Sequence, residues 1–90
     1  MKQIIIDCSA IKTPRQFHEA LAAAMALPEW YGHNLDAMYD CMTELSQPVT
    51  LVLSGWAALG ERLGDYAGKL IFVLHRASED NPCLAVELQS

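Results

Sequence analysis

The chain has 90 residues, 52% of them hydrophobic, and its formal net charge is −5. This length predicts one domain over residues 1–90 with a single hydrophobic core. The negative charge argues against nucleic acid and anionic membranes as partners, because both require a basic surface, but it permits a basic protein. The three cysteines lack C-x-x-C spacing and the N-terminus has no long apolar run, so we expect a cytoplasmic protein with reduced thiols.

The first two predicted elements are a strand and a helix. The β-branched run KQIIID at residues 2–7 predicts a short buried strand. Thr13 is a suitable N-cap, Pro14 suits the first helical position, and Gln16 completes a capping box. The alanine-rich segment that follows predicts a helix to about Ala26, because a proline two residues later disfavours its continuation.

A loop and a second helix are predicted in the middle of the chain. The sequence EWYGHN at residues 29–34 predicts a loop, in which Gly32 gives the backbone freedom to turn. Asn34 is a favourable N-cap for a helix over residues 35–45.

The second half of the chain predicts two more strands separated by helical sequence. Residues 49–53, VTLVL, predict a strand, and Ser54 is a cap-like start for a short helix that ends near Gly64. Residues 68–80 fit a buried strand in their first half and a helix in their second, and periodicity does not decide between them. Residues 83–89 predict a final strand. Strands separated by helices indicate an α/β fold, a parallel sheet with helices packed on it.

The helix predicted over residues 35–45 has two chemically distinct faces. On a helical wheel the apolar face consists of Leu35, Met38, Cys41, Met42 and Leu45. The opposite face consists of Asp36, Asp40, Thr43 and Glu44, with Tyr39 at the border. The three acids are spaced four residues apart, and each adjacent pair repels by about 0.2–0.5 kcal/mol. Helix stability therefore does not explain their presence.

These acids also lack nearby compensating charge, because no lysine or arginine occurs between residues 16 and 61. An acidic face can serve only to keep a helix hydrated. Here, however, Trp30, Tyr31 and Tyr39 are expected to cluster around the acids, and aromatic residues are enriched at protein interfaces. The pattern favours a surface that binds a basic protein.

An enzymatic function receives little support from the sequence. Cys41 is predicted to face the core, away from the acids, which disfavours a nucleophilic pair with His33. His18 and His75 are isolated and are expected to be packing or surface residues. No spacing suggests a zinc site, paired aspartates alone bind Mg²⁺ weakly, and no glycine-rich phosphate loop is present. We expect no catalytic residues, no metal and no cofactor.

The segment ALPEWYGHNLDAMYDCMT, residues 26–43, resembles the barstar family of intracellular ribonuclease inhibitors, whose pattern it matches without a gap. The resemblance implies a three-stranded parallel sheet with about four helices, and therefore a helix over residues 68–80. It also implies 1:1 inhibition of a basic ribonuclease of the extracellular or toxin type, with no chemistry of the inhibitor's own. In the family, carboxylates of the second helix occupy the places of RNA phosphates in the enzyme's active site.

The resemblance also assigns roles to individual positions. Asp40 falls on the family's central, phosphate-mimicking aspartate, and Asp36 falls on the supporting acid one turn earlier. Trp30 replaces the tyrosine that covers the enzyme's catalytic histidine, and Tyr39 replaces a tryptophan at the rim. The remaining expected contact positions are Gly32, Asn34, Thr43 and Glu44.

Several positions depart from the family pattern. The family's late interface glutamate falls on Arg76 or Ala77, neither of which is acidic, and a second interface tryptophan falls on Leu45. Glu44 is an acid where the family example has glycine. These departures keep a second hypothesis open, in which a barstar-like module binds another basic protein or toxin. An enzyme is the third hypothesis.

Overall fold

The computed structural model describes residues 2–89 and has an α/β fold. Its elements in chain order are β1 (Lys2–Asp7), a 3₁₀ turn (Cys8–Ala10), α1 (Pro14–Met25), α2 (Leu35–Thr43), β2 (Val49–Ser54), α3 (Trp56–Leu63), α4 (Asp65–Asp80) and β3 (Leu84–Gln89). The strands form one parallel sheet in the order β1-β2-β3. The predicted three-stranded parallel sheet with four helices is confirmed.

The sheet buries one of its two faces. Ile4 pairs in register with Leu51, which pairs with Val86 on β3, and this face packs against the helical layer. On the other face Ile5 is 62% exposed, although its register partner Val52 on the central strand is buried. The prediction of a buried strand at residues 2–7 is therefore half wrong. Most parallel sheets are covered on both faces, whereas the helices of this chain cover one.

The first helix starts and ends with local hydrogen bonds. The Thr13 side chain accepts from the backbone N–H of Gln16 at 3.1 Å, as predicted. The Gln16 side chain accepts from Lys12 N–H at 2.7 Å, one residue before the cap, so the capping box is shifted. The helix ends where Ala26 takes a left-handed conformation and Leu27 N–H reaches the Ala22 carbonyl.

Two predictions in the second half of the chain need correction. Ser54 does not cap α3: it is the last residue of β2, and its hydroxyl donates to the Ile6 carbonyl at 3.4 Å. The N-cap is Gly55, whose φ of 69° and close approach to Ser9 leave no room for a side chain. Helix α4 is confirmed over residues 68–80 but begins earlier, at Asp65.

The core lies between the sheet and the helices. Its fully buried side chains include Phe17, Leu21, Met38, Met42, Leu53, Leu70 and Leu74. The apolar run that made residues 68–80 ambiguous places Leu70, Leu74 and Ala77 on one helical stripe, where all three are inaccessible to solvent. Among residues 2–89, no helix has both the length and the apolar character needed to cross a membrane.

Candidate partner-binding surface

The connection between α1 and α2, residues 26–34, is an ordered turn that we call the site loop. Tyr31 N–H donates to the Pro28 carbonyl at 3.0 Å. Two residues of the loop are left-handed, Ala26 at its start and His33 near its end, with φ of 52° and 53°. A side chain at Gly32 would displace the Asn34 amide, because a Cβ there would lie 2.9 Å from the amide nitrogen that donates to the Gly32 carbonyl.

The aromatic pair of the site loop divides between surface and core. Trp30 is 73% exposed, whereas Tyr31 is 3% exposed. The Tyr31 hydroxyl shares a 2.6 Å hydrogen bond with Nδ1 of the buried His18. The prediction that Tyr31 flanks the acids is therefore wrong. The neighbouring sequence does not indicate which of the two rings is buried, because this depends on the polar partner His18 on α1.

Helix α2 has the two faces that the helical wheel predicted. Asn34 caps it, with its side-chain oxygen accepting from Ala37 N–H at 2.8 Å. Met38, Cys41 and Met42 are buried, and Leu35 and Leu45 pack partly against the core. The three exposed acids of the opposite side, Asp36, Asp40 and Glu44, are called the acidic face below.

Within the described part of the chain, the acidic face has no compensating partner. Across residues 2–89, the side chains of Asp36, Asp40 and Glu44 make no ion pair and no hydrogen bond. Asp36 lies in the first turn, where the helix dipole favours an anion. Glu44 is the C-cap of the helix, where the dipole disfavours one. Its charge is therefore unfavourable both for the helix end and for the neighbouring acid.

Tyr39 and Thr43 border the acidic face and are partly buried. The Thr43 hydroxyl donates to the Tyr39 carbonyl at 2.9 Å within the helix. The Tyr39 hydroxyl donates to the Asp80 carboxylate on α4, and this hydrogen bond is the largest cause of a raised Tyr39 pKa. Sequence reasoning missed Asp80, because the packing of α2 on α4 carries no sequence motif.

The two candidates for the family's late interface position have different surroundings. Ala77 is fully buried and cannot reach a partner. Arg76 is exposed, and its Nε lies 4.0 Å from the Asp80 carboxylate. The family's late interface position is therefore either a buried alanine or an exposed arginine beside Asp80.

The cysteine and histidine nearest to the acidic face are not arranged as a nucleophile and its base. Cys41 is buried and burial raises the pKa of its thiol, which disfavours the nucleophilic thiolate. His33 lies on the loop, whereas Cys41 faces the core, so the geometry does not pair them. No group of three or more histidine, cysteine or acidic side chains in the described part of the chain could hold a metal ion.

Comparison with known proteins places this geometry in a family. Residues 1–89 match the sequence model of the family described as "Barstar (barnase inhibitor)". A protein of Bacillus subtilis (strain 168) named "Putative ribonuclease inhibitor YrdF" is 36% identical over 81 residues, which cover 89% of each chain. The family match extends over all the elements described above and includes the site loop and the acidic face. The chain therefore belongs to the barstar family.

Proposed function

We propose that the protein is a stoichiometric inhibitor of a basic ribonuclease. In this proposal the acidic face and the site loop cover the enzyme's active site in a 1:1 complex. The observation that carries the proposal is that Asp36, Asp40 and Glu44 have no ion-pair partner among residues 2–89. By contrast, acids on α1 and α4 have basic residues one turn away, at Arg15–Glu19 and Arg76–Asp80.

The chemistry of the target explains why carboxylates suit this task. A ribonuclease must stabilise the charge of a pentacoordinate phosphorus transition state, so its active site carries preorganised cations. Carboxylates held on a helix can meet those cations but cannot be cleaved. We assign the phosphate-mimicking position to Asp40 and the supporting position to Asp36. The complementary charges should accelerate association and make its rate strongly dependent on salt.

The remaining contacts surround the two aspartates. Trp30 is exposed and adjacent in sequence to a buried anchor, so it offers a large apolar surface at a fixed position. We assign it to cover the enzyme's catalytic histidine. Tyr39 and Thr43 continue the surface along α2, and Gly32 and Asn34 present backbone and amide groups from the loop.

The departures from the family pattern support a proposal that the cognate enzyme differs from barnase. Charge complementarity would place an additional cation of the enzyme opposite Glu44 and a neutral or acidic group opposite Arg76. We infer a ribonuclease of the extracellular or toxin type, against which the inhibitor acts as a cytoplasmic immunity protein.

The test is a low-salt pulldown with the purified chain, followed by a ribonuclease assay on the captured protein with and without inhibitor. Asp40→Ala and Asp36→Ala should each weaken inhibition. Glu61→Ala, an exposed acid on α3, is the matched control because it removes the same charge away from α2. Unchanged inhibition by both aspartate variants would refute phosphate mimicry.

A second candidate is a module that binds another basic protein or toxin through the same surface. Arg76 and Leu45 favour it, since both replace family contact residues. Capture of a salt-sensitive partner without nuclease activity, lost on Asp40→Ala, would select this alternative.

A further inference from the structure

A fully buried histidine connects three separate segments of the chain. His18 on α1 is 0% exposed. Its Nδ1 shares a 2.6 Å hydrogen bond with the Tyr31 hydroxyl, and its Nε2 shares a 2.7 Å hydrogen bond with the Tyr66 hydroxyl. Tyr31 belongs to the site loop and Tyr66 to the first turn of α4. One imidazole ring therefore joins α1, the site loop and α4.

The chemistry of the ring makes this connection directional. A neutral imidazole has one N–H donor and one acceptor nitrogen, so one tyrosine donates to the ring and the other accepts from it. Burial, followed by the charge of His33, lowers the pKa of His18 to about 4, which keeps the ring neutral near pH 7. Each ring nitrogen thereby has one tyrosine hydroxyl as its hydrogen-bond partner. Removing either hydroxyl leaves a buried ring nitrogen without its partner.

The site loop depends on Tyr31 for its position. Trp30 is mostly exposed, and Gly32 has no side chain, so neither residue can hold the backbone against the core. Tyr31 lies between them and is buried, with Leu27 as the other apolar anchor, partly buried against the core. The ring of Tyr31 lies 5.3 Å from that of His33, whose left-handed backbone is uncommon for a non-glycine residue.

We infer that the Tyr66–His18–Tyr31 chain of hydrogen bonds is a positioning device that preorganises the site loop, and Trp30 in particular, for the partner. His18 is inaccessible and Tyr66 directs its hydroxyl inward to His18, so both act on binding through Tyr31. A loop already held in its bound conformation loses less entropy when the complex forms. The binding half of this inference rests on the proposed function; the ordering of the loop does not.

The test removes only the remote hydroxyl, by Tyr66→Phe, and follows Trp30. The chain has two tryptophans, so a Trp56→Phe background leaves Trp30 as the only fluorophore of its kind. Time-resolved anisotropy should show a larger local motion of Trp30 in Tyr66→Phe than in the background protein. Dissociation of the captured ribonuclease should become roughly three- to tenfold faster, the size expected from one lost buried hydrogen bond.

Two controls separate positioning from general destabilisation. Val52→Ala loses buried surface on the sheet face opposite the helices, so it lowers the unfolding temperature without touching the loop. His18→Gln retains one donor and one acceptor. It should therefore preserve more of the loop order than an apolar residue at position 18 would. The salt dependence of binding should be unchanged in Tyr66→Phe, because no charge is lost, whereas Asp40→Ala should reduce it.

The outcomes are decisive in both directions. Increased Trp30 motion and faster dissociation in Tyr66→Phe, with neither in Val52→Ala, establish the positioning role. Unchanged Trp30 motion, or a change that Val52→Ala reproduces, overturns it. Increased motion with unchanged dissociation overturns the binding half. If the background protein captures no partner, the proposed function fails, and the anisotropy alone still decides whether the chain of hydrogen bonds orders the loop.

Discussion

Helices α2 and α4 pack against each other, yet they differ in whether basic side chains accompany their exposed acids. On α4, Asp80 has the Arg76 guanidinium one turn earlier at 4.0 Å, and Glu79 has the His75 imidazole at 3.6 Å, which forms an ion pair only when it is protonated. On α2 the acids follow each other at the same spacing without a cation. Exposed ion pairs contribute little to stability, so the difference concerns the electric field outside the protein. Arg76 offsets part of the negative field at the end of α4, whereas α2 contains no lysine or arginine, as expected if the countercharges of α2 belong to another molecule.

The strongest way to break this contrast is Asp40→Ala, which removes the middle acid of the acidic face. We expect partner binding to weaken by about 3–5 kcal/mol, because the substitution leaves a desolvated cation of the enzyme unpaired. The unfolding temperature should hold or rise, because two like-charge repulsions on α2 disappear. Titration calorimetry and thermal melts measure the two effects. A loss of affinity equal to that of Glu61→Ala would contradict the assignment.

Lowering the pH should destabilise the protein through His18, which joins the site loop to α4. The folded-state pKa of His18, about 4, lies below its usual 6.5, so the unfolded chain binds more protons between these values. The contribution of His18 to the free energy of unfolding is complete above pH 6.5, and about 3 kcal/mol of it is lost by pH 4. Urea unfolding across this range measures the slope. His18→Gln should flatten it, and an unchanged slope in that variant would assign the titration to other groups.

Reversing the charge at position 76 would leave the end of α4, like α2, with acids and no arginine. Arg76→Glu should accelerate association with an arbitrary basic ribonuclease about three- to tenfold at low salt, because it extends the negative field. The free energy of unfolding should change by no more than about 0.5 kcal/mol, since the Arg76–Asp80 pair is exposed. Stopped-flow mixing measures the rate, with Lys12→Glu as a control of equal charge change. For the cognate enzyme, a slower association would identify Arg76 as a specificity determinant.

The smallest expected effect concerns the end of α2. Glu44→Gln should stabilise the fold by about 0.3–1 kcal/mol, because it removes a negative charge from the C-terminus of the helix dipole. Urea denaturation measures the gain. A matched Asp36→Asn, at the favourable helix start, should show no gain or a small loss. Equal gains from both would indicate that repulsion between the acids outweighs the dipole.

The sequence predicted most of the fold because its signals are local. The caps at Thr13 and Asn34 and the two faces of α2 depend on hydrogen bonds and periodicity within a few residues. The order of the elements and the similarity to a known family then led to the parallel sheet.

The errors in prediction share a cause in long-range packing. Tyr31 is buried because His18 offers its hydroxyl a partner, and Ser54 continues the strand because Gly55 makes the turn against Ser9. Exposure of Ile5 follows from which sheet face the helices cover. The link between Tyr39 and Asp80 depends on helix packing across half the chain.

The parallel register has a kinetic consequence for the proposed surface. Lys2 pairs with Val49, and α1, the site loop and α2 all lie in the crossover between these strands. Closing so long a loop is slow, because its entropy is lost before the strands gain contacts. The binding surface therefore becomes complete only when the sheet closes. A partner that binds this crossover should in turn slow unfolding of the sheet. The bound inhibitor should therefore unfold more slowly than the free inhibitor.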